Sequence, residues 1–550
     1  MQHRRSALAA LSVLVALLAA ACTGAVAAGE SPPPRTAGSG SIPAERRTSP
    51  PQEDHDAPRW QLSPPWAAHP ELLMGSRRFR ELARPARAAS DEPTNVVLIT
   101  TDDMASSELR WMPKTRALIG APGTRFTDSI SPHPLCCPAR AITLTGQFAQ
   151  NNGVRTNAWP TGGYYKLDHS NTLPVWMKAA GYQTAFLGKY LNEYGRFGRA
   201  REVPPGWDAW RAPVGNGNYD YYNFQVNDDG ELRDLDGTYQ TDYYVEESED
   251  LIRDMSGEDR PFFIWQSHLA PHTACPTTNT GEECWQLPTP SMSYDGVFDQ
   301  TTPPQRGKPS YDEPDVSDKP HFVSREKPMS PADRRYYTEL FQRRIESLQS
   351  VDDAVARTVA ALDEAGELDN TLLLFTSDNG YLMGEHRIGG KIVGYEPSLR
   401  VPLLMRGPSV PVGVRRSETV ATVDLAPTIA AAAGATPGLR VDGRDLQPVA
   451  AGTSPGWDTI LIQGGPKAKG VKGWWYRGVR TDRYTFMSYE KSGEVELYDR
   501  RRDPFQLRNV AADPAYSAVR AELQDRLIRL GDCAGADCRQ RFGAVPAPSR

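Results

Sequence analysis

Short apolar runs alternate along the middle of the chain with stretches of helical spacing. Asn95–Thr101 (NVVLITT), Tyr182–Leu187, Pro261–Gln266 (PFFIWQ) and Thr371–Thr376 (TLLLFT) are continuous and rich in β-branched or aromatic residues, the pattern of strands buried on both faces. Between them, Pro174–Ala180 and a long stretch from Pro331 to Ala365 carry apolar residues at helical spacing. Strands alternating with helices predict an α/β fold, a doubly wound and mostly parallel sheet with helices on both faces. An alanine-rich helix after Pro427 closes this main domain, assigned to residues 92–440. In residues 441–550, Trp474–Val479, Tyr484–Tyr489 and Glu494–Tyr498 alternate with period two, predicting a small antiparallel sheet. Tyr516–Leu530 has helical spacing and is expected to pack on that sheet, with Trp474, Trp475 and Tyr476 in its core rather than at a ligand surface.

The N-terminus follows other rules. Arg4 and Arg5 precede the apolar run Ala7–Ala21, which is shorter than the roughly 20 residues a spanning helix needs. A basic start, apolar middle and small-residue end make residues 1–22 an export signal. Ala19, Ala20 and Ala21 before Cys22 resemble a lipobox, although Leu18 stands one place further out than usual. Lipid-modified Cys22 is the preferred reading, and cleavage after an Ala-x-Ala site the alternative. Ten prolines between Ser31 and Pro70 make residues 23–91 a tether, so the folded part is expected to begin near Glu92.

Composition narrows the classes. With 550 residues, 39% hydrophobic and 24% charged, the chain is neither wholly disordered, nor a coiled coil, nor a polytopic membrane protein. Lysine and arginine number 62 against 68 acids, a net charge of −6 spread without long single-sign blocks, so no nucleic-acid partner is expected. Contact with a membrane is expected only through a lipid on Cys22. Of the seven cysteines, the close pairs Cys275/Cys284 and Cys533/Cys538 suit local disulfides in an exported chain. Cys136 and Cys137 are adjacent, a spacing that rarely closes comfortably on itself.

Ligands of open α/β sheets gather beyond the carboxyl ends of the strands. All four central runs end there in polar chemistry: Asp102-Asp103, Gly188-Lys189, His268 with His272, and Ser377-Asp378-Asn379-Gly380. Any one alone reads as an ordinary turn or cap, but four coincident ends read as a site. Asp102, Asp103, Asp378 and the Asn379 amide form an oxygen-only set with three negative charges. Such a set suits a hard cation, Ca²⁺ before Mg²⁺, and disfavours zinc.

The segment Cys136–Gly146, CCPARAITLTG, carries Cys-x-Pro-x-Arg followed by Leu-Thr-Gly, six fixed positions within eleven residues. The chain thereby resembles the type I sulfatases of the alkaline phosphatase superfamily, whose fold is the doubly wound sheet predicted above. The likeness spans most of residues 95–515. GKYLNEYG at Gly188–Gly195, PPGW at Pro204–Trp207 and the doubled cysteine look closest to the branch of N-acetylglucosamine-6-sulfatases and heparan 6-O-endosulfatases. GYEPSLRVPLLMRGP at Gly394–Pro408 repeats the second block of the family, and ELYD at Glu496–Asp499 its C-terminal part.

The resemblance implies that Cys136 is oxidised during export to Cα-formylglycine, whose hydrated aldehyde is the nucleophile. Pro138 and Arg140 then belong to the determinant read by a formylglycine-generating maturation enzyme, with Arg140 also neutralising charge beside the nucleophile. Asp102, Asp103, Asp378 and Asn379 match calcium ligands, with Cys136 completing the metal site. Lys189, His272 and Lys391 match sulfate-binding or proton-transferring positions. Thr143–Gly146 is expected to open a helix behind the nucleophile. The implied activity is sulfate-ester hydrolysis by an exported enzyme, on a sulfated amino sugar or glycosaminoglycan fragment. The alternatives are a broad aryl sulfatase, a phosphoester hydrolase of the same superfamily, or a non-catalytic glycan-binding lipoprotein. Two departures stand out: Tyr190-Leu191 replaces the Trp-His that often follows the lysine, and Leu382 replaces a histidine after Gly-Tyr. His386 is either a substitute substrate contact or a solvated loop residue.

Overall fold

The computed structural model describes residues 76–86, 93–275, 286–467 and 472–549. The export signal, Cys22, residues 23–75 and Cys284 lie outside them. Ten strands form the main sheet: β1 (Asn95–Thr101), β2 (Thr124–Phe126), β3 (Gln183–Gly188), β4 (Ala209–Pro213), β5 (Asn223–Asp228), β6 (Glu231–Asp236), β7 (Phe262–Ser267), β8 (Thr371–Ser377), β9 (Leu403–Arg406) and β10 (Val414–Arg416). Their spatial order is β10-β2-β9-β8-β1-β7-β3-β4-β5-β6. The centre, β8-β1-β7-β3-β4, is parallel throughout. Antiparallel strands flank it: β9 pairs with β8, β2 with β9, β5 with β4 and β6 with β5. The four runs singled out in the sequence are therefore four adjacent parallel strands, and their carboxyl ends lie along one rim.

The alternation within each run sends side chains to two cores. Val97, Ile99, Ile264, Leu373 and Phe375 pack under the helices α4 (Gln240–Ser256) and α5 (Pro331–Glu364). Val96, Leu98, Trp265, Leu372 and Leu374 face α2 (Cys136–Thr145), α3 (Leu173–Ala179) and α6 (Leu425–Ala432). Helix α5 starts where its sequence says it should. Ser330 caps it, accepting from Asp333 N while the Asp333 carboxylate accepts from Ser330 N, and Pro331 takes the first helical position.

The ordered fold begins before Glu92. Helix α1 (Ser76–Leu82) puts Phe79 and Leu82 into the core, Arg78 pairs with Asp363 on α5, and Arg406 donates to the Leu82 carbonyl. Two apolar residues three apart, beside a docking arginine, are too short a signal to stand out at the end of a proline-rich stretch. Among the described residues no helix is long and apolar enough to cross a membrane.

Residues 459–499 form a four-stranded antiparallel sheet, β11 (Thr459–Gly464), β12 (Tyr476–Thr481), β13 (Tyr484–Tyr489) and β14 (Val495–Asp499). Helix α7 (Ser517–Gly531) lies on it through Val519, Leu523, Leu527 and Leu530. Strand β11 is a fourth strand beyond the three that the alternation predicts. Tyr476 is buried in this core and Trp475 packs edge-on against Phe322 and Tyr476, whereas Trp474 is buried beside His133 with Arg155 over its ring. Cys533 and Cys538 are joined, and Cys275 is disulfide-bonded.

One guanidinium ties the small sheet to the large one. Arg480 on β12 is fully buried and makes paired contacts with Asp128 (2.6 and 3.0 Å) and Glu396 (2.8 and 2.9 Å). Burial would raise Glu396, but Arg480 and Arg500 overcome it and hold the carboxyl at about 2. Because the folded value lies below the unfolded one, this stabilisation is present above pH 4.5 and is lost as pH falls from there through about 2. Arg480→Met takes the buried guanidinium from two half-buried carboxylates, of which Glu396 keeps Arg500 at 3.4 Å, and is expected to destabilise the fold by about 2–4 kcal/mol. Denaturant titration at neutral pH and at pH about 3 checks this: the penalty should shrink in acid.

Candidate active site

The parallel centre of the sheet delivers the predicted residues to one place. Strand β1 runs into Asp102 and Asp103, β8 into Asp378 and Asn379, β3 into Lys189, and β7 towards His272. Asp103 takes a left-handed conformation, φ 70°, which a residue with a Cβ rarely adopts. Lys391 comes from the loop that follows the two-stranded hairpin Leu382–Met383/Gly389–Gly390. Cys136 occupies the first position of α2, and Leu135 before it is extended. The Cys136 side chain thus sits at the positive end of its own helix. This corrects the expectation for Thr143–Gly146, which closes that helix instead of opening one: Gly146 at φ 63° is the left-handed cap, donating to the Ile142 carbonyl.

All of these side chains are buried. Cys136 Sγ lies 2.7 Å from Lys391 Nζ, 3.7 Å from Lys189 Nζ and 3.6 Å from Asp102 Oδ1. Lys189 pairs with Asp102, and Lys391 with Asp103. Arg140, one helical turn beyond Cys136, reaches back under the carboxylates. Its Nη2 is 3.2 Å from Asp102 Oδ2 and its Nε 3.0 Å from Asp378 Oδ2, while Nη1 donates to the Lys189 carbonyl and Ser267 Oγ. His272 Nε2 is 3.6 Å from Asp103 Oδ2, and its Nδ1 is 2.7 Å from the Thr273 carbonyl. A carbonyl can only accept, so Nδ1 carries the hydrogen and Nε2 faces the site.

Electrostatics separate the carboxylates. Burial alone would raise Asp102, but Lys189, His272, Arg140 and Lys391 hold it well below the usual carboxylate range. Burial and the charge of Asp102 push Asp378 above its ordinary value. Burial disfavours the Lys189 ammonium, yet Asp102 and Cys136 keep it above its ordinary value. Cys137 next door differs. Its thiol is pushed up chiefly by burial, it faces the α2–α3 core, and its backbone N–H donates to Asn157 Oδ1 at 2.9 Å.

The aspartates form a candidate metal-binding cluster, but the folded chain adds a thiol and an imidazole to the oxygen-only set expected from the sequence. One ligand atom from each of Asp102, Asp103, Cys136 and His272 lies within 4.8 Å of the others. Asn379 spends its side-chain N–H groups on Asp103 Oδ1 and the Gly380 carbonyl, and its buried Oδ1 has no hydrogen-bond partner. An orphaned buried amide oxygen beside aspartates is the ligand type that calcium takes. Asp378 stands outside the tightest group, its oxygens accepting from Asp103 N (3.0 Å), Asn379 N (2.7 Å) and Arg140 Nε.

His268 does not join the cluster. It is buried with no partner for either ring nitrogen, and burial lowers it to about 4. His386 is not solvated: it is buried against the Tyr395 ring with Nδ1 2.6 Å from Glu313 Oε2. Sequence reasoning missed Ser267, which holds Arg140; Tyr219, whose ring lies 4.5 Å from Lys189 Nζ; and Asn157. None of the three carries a local pattern, since each meets the site only through folding.

Comparison with known proteins agrees with this geometry. The family model described as Sulfatase matches residues 94–435, and that of the N-sulphoglucosamine sulphohydrolase C-terminal domain matches residues 384–532. The chain is similar to an arylsulfatase of Volvox carteri, 32% identical over 501 residues covering 82% of this chain and 76% of the relative. It is 30% identical over 501 residues to the N-acetylglucosamine-6-sulfatase of Homo sapiens, covering 82% and 87% of the two chains. Among solved structures, one bound to its substrate D-glucosamine-2-N,6-O-disulfate superposes with a TM-score of 0.64 at 23% identity, covering 80% of this chain and 97% of the other.

Proposed function

The chain belongs to the sulfatase family and is a sulfuric ester hydrolase, and from that premise we propose that it is an exported, calcium-dependent enzyme acting on a sulfated amino sugar or glycosaminoglycan fragment. The observation that carries this reading is the convergence of Cys136, two lysines and the aspartate cluster in one buried site. Residues 92–440 supply that chemistry and residues 441–550 brace it.

Asp102, Asp103, Asp378 and Asn379 would hold the cation beside residue 136, with His272 close by. When bound, the cation supplies Lewis-acid polarisation of a sulfuryl oxygen and a lowered pKa for the attacking hydroxyl. Formylglycine at 136, hydrated by one water, would supply one hydroxyl as the nucleophile for sulfur; loss of the proton from the other would reform the aldehyde and break the carbon–oxygen bond to sulfate, so water need not attack sulfur. Cys136, Pro138 and Arg140 are buried in the folded chain, so the maturation enzyme reads them before folding is complete.

The other groups position charge. Lys189 and Lys391 face the reacting atom as protonated donors for the sulfuryl oxygens, whose charge grows in the transition state. Arg140 is committed to Asp102, Asp378 and Ser267, so it braces the carboxylates and offers its charge from behind. His272 holds its Nδ1 hydrogen on Thr273, leaving Nε2 to deliver a proton to the departing alcohol oxygen. The fixed charges balance, three aspartates against Arg140, Lys189 and Lys391, so a divalent cation leaves the site net positive for an anionic ester.

Sulfate release from N-acetylglucosamine-6-sulfate, an aryl sulfate and an aryl phosphate, with calcium present, tests the reading. Release from the amino sugar and none from the phosphate is expected. Cleavage of the aryl sulfate alone would remove the amino-sugar assignment and leave the sulfatase chemistry standing.

A further inference from the structure

Behind the site, one arginine from the long helix reaches all three of the loops that carry Asp103, His272 and Asn379. Arg344 on α5 is fully buried, and Glu108, its partner, is 1% exposed. Arg344 Nε donates to Glu108 Oε1 at 2.7 Å, and Nη2 to Glu108 Oε2 at 2.6 Å. The same Nη2 donates to the Asp103 carbonyl at 2.6 Å, and Nη1 to the Pro271 carbonyl at 3.3 Å. The guanidinium carbon lies 4.7 Å from the centre of the Tyr381 ring. Pro271 immediately precedes His272, and Tyr381 follows Asn379 by two residues. Glu108 Oε2 also accepts from Ala105 N at 2.8 Å, closing the turn that follows Asp103.

We propose that the Arg344–Glu108 pair is a positioning unit that fixes the Asp103 carboxylate, the His272 imidazole and the Asp378–Asn379 turn relative to one another, and so sets the affinity of the site for its cation. The inference rests on the reading of those strand-end residues as cation ligands. Stability alone does not account for the pair. A buried ion pair is commonly no more stabilising than well-packed apolar residues of the same volume, and α5 already buries Leu348, Val351 and Val355 in the same core. What apolar residues cannot do is hold two carbonyls and one carboxylate from separate loops at fixed angles. The planar fork of arginine can, and the point charge of a lysine cannot. The Asp103 carbonyl is where such a hold matters most, because the left-handed backbone there persists only when its surroundings over-determine it.

The test separates positioning from stability. The double variant Arg344→Met/Glu108→Leu removes both charges and leaves neither stranded, whereas Arg344→Lys keeps the charge and loses the fork. Calcium binding to the full chain is measured by titration calorimetry, thermal unfolding is followed in chelator, and sulfate release is followed at several calcium concentrations. The double variant is expected to unfold cooperatively in chelator near the wild-type midpoint while its calcium Kd rises about 10–100-fold, the usual consequence of losing a group that orients metal ligands. Turnover should recover partly at high calcium. If the double variant does not fold, the Kd of Arg344→Lys decides by the same measure. A wild-type Kd in a folded variant overturns the positioning role and leaves the calcium reading intact. A wild-type protein that binds no calcium overturns both.

Discussion

Alanine at position 136 is expected to abolish sulfate release, by a factor on the order of 10⁵ or more, the scale seen when a nucleophile is removed from an otherwise intact site. The loss should appear in kcat, because the lysines that face the ester, Lys189 and Lys391, and the carboxylates that would hold the cation remain. The fold should survive. Cys136 is a small buried residue at the first position of α2, where alanine is tolerated. The helix is closed independently by Gly146 and anchored by Ala141 and Leu144 in the core. Mass analysis of the wild-type peptide containing Cys136 completes the experiment. A formyl side chain in active protein and a thiol in inactive protein support the maturation reading, and co-expression with a formylglycine-generating enzyme should convert the second into the first. Substantial activity in Cys136→Ala, or full activity in protein that retains the thiol, would sink the mechanism.

The centre of this fold was legible because parallel strands buried on both faces write themselves as unbroken apolar runs. Residues 95–101, 182–187, 261–266 and 371–376 each match an observed strand within about one residue, and the polar groups at their ends lie together except His268. The start of the helix that carries Cys136 is legible too. Pro138 in the first turn and Gly146 after the last apolar position are ordinary start and stop signals, but the motif drew attention to Thr143–Gly146 as a beginning. The edges were harder. Strands of two to four residues, such as Val414–Arg416, carry too few positions for a period to show. Least legible were the partners that fold over long separations. Arg344 and Glu108 lie 236 residues apart, and Arg480 meets Asp128 across 352. Each reads in the sequence as one more charged residue on a helix, turn or strand, and only burial turns it into a pair.

Lys391→Ala is expected to lower kcat about 10²–10³-fold, the loss typical of removing one preorganised donor for developing negative charge. Lys391 Nζ is the cationic group nearest the reacting side chain, 2.7 Å from Cys136 Sγ against 3.7 Å for Lys189. Its charge is held by Asp103, a carboxylate also assigned to the cation, and this shared partner gives the prediction a second arm of opposite sign. Taking a positive charge away from Asp103 leaves that carboxylate more available, so calcium should bind at least as tightly as in the wild type. A variant that had merely disordered the site would lose both kcat and calcium. Lys391→Arg should restore little of the rate, since a planar fork cannot replace a compact ammonium that must face Sγ and Asp103 together in a buried site. Steady-state kinetics on the sulfated amino sugar, with calcium titration by calorimetry on the same preparations, check the two arms. Loss of rate with calcium affinity retained assigns Lys391 to the ester and not to the metal. Parallel loss of both would move it into the structural support of the cation, and Lys189, held by Asp102 and against the Tyr219 ring, would then be left as the principal donor to the sulfuryl oxygens.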